Sequence, residues 1–283
     1  MKSAIVAVML VACGARTDLG SVLHHETETK CDWTKPFTSV VAIAELNVSS
    51  GSAELRLSQD ELTGYFYRGV DIFVATRPSI GAKFSAAVVA KDVSSPSFDA
   101  DPFLSADGLS LFLNTNRPGT MGDSDIFVAT RATTSSAFAP AVPVANVNSG
   151  TYDGTPYVTN DGSELWLAST RDTGKIHLFR SHANGSGFDA ATYVAELNDA
   201  SSVENNPVLT ADGLTIYFSS NRSGKTEIYV AHRDTMTSTF SSPKLQDELS
   251  SGSDYASWIS PDSCRLYMTR GAGAGFALWV ASR

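Results

Sequence analysis

Two sets of polar residues recur along the chain at intervals near fifty. Arg68, Arg117, Arg171, Arg222 and Arg270 form one set; Ser52, Asp99, Asp153, Glu204 and Asp254 form the other, acidic in four of its five members. Carboxylates converging on one point can hold a cation, a basic peptide or a sugar. Guanidiniums at the same spacing can pair with those carboxylates or with backbone carbonyls and lock neighbouring units together, a task every repeat needs equally. The arginines are therefore read as structural. Asp101 stands outside the pattern, two residues after Asp99. With Asp153 or Glu204 it would make the pair of carboxyl groups that glycoside hydrolysis requires, about 5 to 9.5 Å apart in unlike environments. Equivalent positions in equivalent repeats give like environments, which argues for scaffolding and against catalysis. Asp99, Asp101, Asp153, Glu204 and Asp254 are the candidate ligand-facing ring, and no catalytic residue is assigned.

Other chemistries find little support. His177 falls in a strand and His232 at a strand end, and no Gly-x-Ser-x-Gly elbow accompanies them. No phosphate-binding loop or cysteine-rich metal motif occurs, and His24-His25-Glu26-Thr27-Glu28 lacks a spaced set of partner ligands. No cofactor and no metal are expected. A formal net charge of -9 makes the protein a poor partner for nucleic acid or an anionic membrane surface.

The elements that must carry these residues are short strands. Each of five segments holds a turn, Leu57-Ser58-Gln59-Asp60, Leu104-Ser105-Ala106-Asp107-Gly108, Val158-Thr159-Asn160-Asp161-Gly162, Leu209-Thr210-Ala211-Asp212-Gly213 and Ile259-Ser260-Pro261-Asp262, with the aspartates 47, 54, 51 and 50 residues apart. A second strand follows the turn, as in Leu165-Trp166-Leu167. A polar loop bearing the arginine leads to a third, as in Ile228-Tyr229-Val230, and a link marked by Phe84, Phe138, Phe188 or Phe240 leads to a looser outer strand. Runs this apolar must be buried on both faces, as in blades stacked around a ring. The expectation is an all-β, five-bladed β-propeller with four antiparallel strands per blade, occupying residues 32–283.

The Ser/Thr-x-Asp-Gly, Tyr-Phe-x-Ser-Asn-Arg and Ile-Tyr-Val-Ala elements of Leu209 to Ala231, echoed in Leu104 to Ala129, resemble the TolB-type, WD-like propeller repeat. The resemblance implies a propeller of the bacterial envelope that binds protein. It also departs from that family: TolB-type proteins carry an extra N-terminal domain and usually six blades. Glu61 and Ser263 here replace the turn glycine in blades one and five.

The last repeat ends at its third strand, so the segment from Ser39 to Leu46 is expected to supply the missing outer strand, with Trp33 standing where Phe stands elsewhere. That closure brings Cys31, ahead of the strand, to the same face as Cys264, in the turn of blade five. A Cys31–Cys264 disulfide is expected, and two free thiols are the alternative. Lys2, the apolar run Ala4 to Ala12 and Leu10-Val11-Ala12-Cys13 resemble a lipoprotein signal, which implies a signal peptide over 1–12, lipidation of Cys13 and a tether over 13–31. Gly14 lacks the retention Asp, which favours the outer membrane. The functional expectation is a monomeric, non-enzymatic, lipid-anchored binding or scaffold propeller, attached to membrane only through its anchor. It would present one face to an envelope protein or peptide, the alternative being a propeller that binds or cleaves glycan.

Overall fold

The computed structural model describes residues 30–272 and 275–283. The signal peptide expected over 1–12, the expected lipidation site Cys13 and residues 13–29 of the expected tether lie outside the described residues.

Each blade is organised by its turn. The Ser58, Ser105, Thr159, Thr210 and Ser260 hydroxyls each donate to the aspartate two residues on, at 2.5 to 2.7 Å. The same carboxylate oxygen accepts the N–H two residues further, as from Leu109 and Leu214. Between them one residue takes the left-handed conformation, which glycine adopts without steric cost in Gly108, Gly162 and Gly213. Glu61 and Ser263 occupy it at φ 59° and 61°, so the turns that depart from the repeat in sequence keep its geometry. Glu61 gains from its place there. Its buried carboxylate accepts from Arg265 at 2.6 Å and from the Tyr267 hydroxyl at 2.7 Å, joining blade one to blade five.

Five antiparallel sheets of four strands result, and the first strand in sequence, β1 (Ser39–Ala42), belongs to the last of them. Blade one is β2 (Ala53–Leu57), β3 (Thr63–Arg68), β4 (Asp71–Thr76) and β5 (Val88–Val89). Blade two is β6 (Asp99–Leu104), β7 (Ser110–Thr115), β8 (Asp125–Thr130) and β9 (Val142–Pro143). Blade three is β10 (Asp153–Val158), β11 (Glu164–Ser169), β12 (His177–His182) and β13 (Thr192–Tyr193). Blade four is β14 (Glu204–Leu209), β15 (Thr215–Ser220), β16 (Glu227–His232) and β17 (Lys244–Leu245). Blade five is β18 (Asp254–Ile259), β19 (Arg265–Ala272) and β20 (Gly275–Ser282), completed by β1. Every residue of β10 and β11 is buried, as stacking on both faces demands. Trp166, Tyr217, Tyr267 and Phe66 fill the spaces between blades with almost no exposed area. Among the described residues the only helices are two 3-10 turns, Ala44–Leu46 and Asp247–Leu249.

The ring closes through β1, which pairs antiparallel with β20 from Ser39 opposite Ser282 to Ala42 opposite Trp279. The aromatic register differs from the sequence expectation. Val41 faces Val280 as Lys244 faces Val230, so the counterpart of Phe240, four residues before Lys244, is Phe37 and not Trp33. Phe37 is buried under the Arg283 guanidinium, 4.3 Å from its ring centre, as Phe240 lies under Arg233 at 4.7 Å. Trp33 instead stacks on His232. Two aromatics four residues apart offered the same pattern, and the strand pairing selects between them. Cys31 and Cys264 are bridged, with Cα atoms 5.1 Å apart, and the Cys31 N–H donates to the Asp262 carbonyl at 2.7 Å.

Candidate functional site

The repeated acids and arginines meet inside each blade. Arg117 reaches Asp99 at 2.6 Å, Arg171 reaches Asp153 at 2.5 Å, Arg222 reaches Glu204 at 3.2 Å and Arg270 reaches Asp254 at 2.8 Å. Arg68, whose blade has Ser52 in place of the acid, donates to that hydroxyl at 3.1 Å. Each guanidinium also donates to a backbone carbonyl, those of Val93, Val147, Leu197, Leu249 and Leu46. Most of these guanidiniums lie over an aromatic ring of the same blade, as Arg171 does over Phe179 and Arg270 over Trp279. Asp99, Asp153, Glu204 and Asp254 have no exposed surface. A buried carboxylate is tolerable only with its charge paired and its oxygens hydrogen-bonded, and here the arginine does both. These four acids are thus drawn away from a ligand-facing ring. Asp101, the fifth member, is placed differently.

Two residues beyond Ser52, Asp99, Asp153 and Glu204 the inner strand bulges. Register slips between Ala53 and Arg56, Ala100 and Phe103, Gly154 and Tyr157, and Asn205 and Val208. Glu54, Asp101, Thr155 and Asn206 take φ values of 59°, 51°, 48° and 56°, a region costly for side chains with a Cβ. A bulge re-aims its side chain, and these four line a cavity of about 280 Å³ on the ring axis, at the face where the inner strands begin. Blade five has no left-handed residue here: Ala256 stays paired with Met268, and the slip falls after it, between Ala256 and Trp258. The mouth carries five aromatic rings. Tyr67 meets Phe98 edge to face at 6.2 Å, Tyr255 meets Phe276 at 5.7 Å, and Tyr152 completes the rim. Phe98 and Phe276 are more than a third exposed. Gly154 makes room for Tyr152, because a Cβ there would collide with the phenol oxygen. Asn114, Ser124, Asn205 and Thr269 supply amides and hydroxyls to the wall.

The floor is acidic and short of partners. Glu54 and Asp101 are 5% and 8% exposed, and Asp101 accepts the Thr155 N–H at 3.2 Å. Arg56 lies fully buried near them. One of its Nη groups donates to the Pro156 carbonyl at 3.0 Å, and the other stops 3.8 Å from Glu54 Oε2. Glu54 Oε2 and Thr155 Oγ1 are buried with no hydrogen-bond partner. Burial is the main force pushing the Glu54 carboxyl up to about 8; the Asp101 charge adds to it, while Arg56 and the Asn206 amide oppose it. Burial also raises Asp101, against Arg56 and the Thr155 N–H. The Tyr152 phenol is raised, first by burial and then by the charges of Asp101 and Glu54. Two acids are thus pressed together where water is scarce, with one guanidinium between them in charge but not in contact.

The sequence singles out Asp101 but not its neighbour. The expected partner was Asp153 or Glu204, which Arg171 and Arg222 hold in their own blades. Glu54 is the acid that shares its cavity. The available signal was the repeat itself, since Glu54 stands two residues after Ser52 as Asp101 stands two after Asp99. Among the described residues no group of His, Cys, Asp and Glu is arranged to hold a metal ion.

No protein-family model matches the chain, and no curated protein matches it in sequence. Solved propellers match it in shape. A GH43_1 enzyme from Xanthomonas citri aligns over 86% of this chain and 90% of its own at 12% identity, with a TM-score of 0.58. An alpha-L-arabinofuranosidase from Podospora anserina, solved with cellotriose, aligns over 83% and 91% at 12% identity and 0.54. TolB from Acinetobacter baumannii aligns over 84% of this chain and 56% of its own at 16% identity and 0.53. At these identities the likeness is one of propeller fold, and the chain is a five-bladed β-propeller.

Proposed function

We propose that this chain is an exported, lipid-anchored binding propeller of the bacterial envelope, and that its ligand is a carbohydrate held in the axial cavity. One observation carries the reading: a single cavity joins five aromatic rings at its mouth to amides, hydroxyls and two carboxyl groups below. Aromatic faces cover the apolar side of a sugar ring, and converging polar groups fix its hydroxyls, which both donate and accept. Two of the solved propellers of similar shape are a GH43_1 enzyme and an arabinofuranosidase bound to cellotriose, which supports the same reading. The export and anchoring of the chain rest on Lys2, the apolar run and Cys13.

The competing reading is an envelope protein or peptide seated on the same face, and the exposed Phe98 and Phe276 favour it. A screen of the purified protein against immobilised plant and bacterial glycans separates the two. The carbohydrate reading expects a glycan to be retained, with binding weakened about tenfold or more by Asn205→Ala and by Gly154→Ala, which displaces Tyr152. Failure to retain any glycan, alongside capture of an envelope protein that Phe276→Ala abolishes, would overturn it. Sugar release that disappears in Asp101→Asn would replace binding by hydrolysis.

A further inference from the structure

We propose that the axial cavity selects a sugar bearing a free ammonium group, with the ammonium seated between Glu54 and Asp101 under the aromatic rim. The inference rests on the carbohydrate reading and names the sugar. Its starting point is the charge of the lining: Glu54 and Asp101 are its only charged residues, with no Lys, Arg or His among them. Arg56 lies below, one Nη on the Pro156 carbonyl and the other 3.8 Å from Glu54 Oε2, so its single charge can offset one of the two carboxylates and not both. Glu54 Oε2 is a buried oxygen of the lining with no hydrogen-bond partner among the described residues. A ligand that seals the mouth strips the remaining water from both acids, which costs free energy unless the ligand returns a charge.

A neutral hydroxyl returns one donor and no charge. An ammonium returns three donors and a full positive charge, enough for Glu54 Oε2, Asp101 and the orphaned Thr155 Oγ1 together. The rim adds to this. Tyr67, Tyr152, Tyr255, Phe98 and Phe276 place aromatic rings, whose faces attract a cation, around the mouth. Around Glu54 the titratable and charged groups are Arg56 on its own strand, Asp101 on β6, Tyr67 on β3, Tyr152 before β10 and Tyr255 on β18. None of the last four can supply a positive charge. Burial keeps a proton on Glu54 in the empty site, so seating an ammonium there should expel it.

The test compares three oligosaccharides with one β-1,4 backbone, differing only at the second carbon: glucosamine, N-acetylglucosamine and glucose oligomers. Titration calorimetry at about pH 6.5, in two buffers of different ionisation enthalpy, reads affinity and proton release together. The glucosamine oligomer should bind about tenfold or more tightly than the other two, with a proton released. Both the preference and the release should vanish in Glu54→Gln, so that the three oligomers bind the variant with like affinity. Equal binding of all three leaves the carbohydrate reading standing and overturns this one. Binding of none overturns this inference, and the glycan screen then decides the parent reading separately. A Lys-Gly-Gly peptide bound as tightly as the glucosamine oligomer would overturn the sugar as carrier of the ammonium.

Discussion

Glu54→Gln should stabilise the protein, and by an amount that grows with pH. Glu54 has its usual value of 4.5 in the unfolded chain and about 8 in the folded one. Below the lower value both states carry the proton and the group contributes nothing. As pH rises between the two values the unfolded chain loses its proton while the folded one keeps it, so stability falls. Above the higher value both are ionised and the penalty is complete. At about 1.4 kcal/mol per pH unit the interval amounts to about 5 kcal/mol, an upper figure for a carboxyl so close to Asp101 and Arg56. Glutamine is neutral throughout and has nearly the shape of the protonated acid. Urea unfolding with the disulfide intact, at pH 5, 6, 7 and 8, measures both proteins. The difference between them should be about 1 kcal/mol at pH 5 and rise to about 4 kcal/mol at pH 8, Asp101 leaving a residual slope in the variant. Parallel stability curves over that range, or a variant less stable at pH 8, would refute the placement of a protonated acid on the ring axis.

Opening the Cys31–Cys264 bridge by Cys31→Ser and Cys264→Ser releases a closure spanning 233 residues, and chain-entropy reasoning sets the loss at about 5.5 kcal/mol, read as a shift of the urea midpoint. Arg171→Ala strands the fully buried Asp153 and should cost about 3 to 5 kcal/mol, whereas Arg68→Ala strands no charge, only the Ser52 hydroxyl and the Leu46 carbonyl, and should cost about 1 to 2 kcal/mol; equal losses would refute the pairing argument. Glu61→Gly restores the turn residue of the repeat yet should destabilise by about 2 to 4 kcal/mol, because Arg265 and Tyr267 lose their acceptor; a more stable variant in thermal melts would show the blade-one contacts to be idle.

The ring was legible because its determinants are local and repeated. A hydroxyl two residues before an aspartate makes one turn five times, and the strand missing from the last repeat is found before the first. The bridge followed from that closure. Register was harder to read, since Trp33 and Phe37 lie one pattern step apart and only pairing with β20 chooses Phe37. The cavity lay deeper still. Repetition draws the eye to what the blades share, and what they share here is the buried acid and arginine that hold each blade together. The cavity is lined from a position where the blades differ, Glu54, Asp101, Thr155 and Asn206, with Ala256 as the fifth counterpart outside the lining. Four of these residues reach the axis through left-handed backbone conformations that no glycine announces, so strand alternation alone points them elsewhere. Asp101 stood out as an acid off the pattern, but its partner Glu54 lies in the blade whose own ring position is a serine.

The bridge also sets how the molecule bears load. Cys264 lies in the turn after β18, on the side of the ring opposite the cavity mouth, and Cys31 is bound there, eight residues before β1 begins. Tension arriving along the backbone ahead of Lys30 passes through a covalent bond into the hairpin of β18 and β19 before it can reach the pairing of β1 with β20. Without the bridge the same pull would peel an edge strand, breaking its four residue pairs in succession. With it, the closing strand is mechanically shielded, and the pull is applied at the end of the ring axis remote from the mouth.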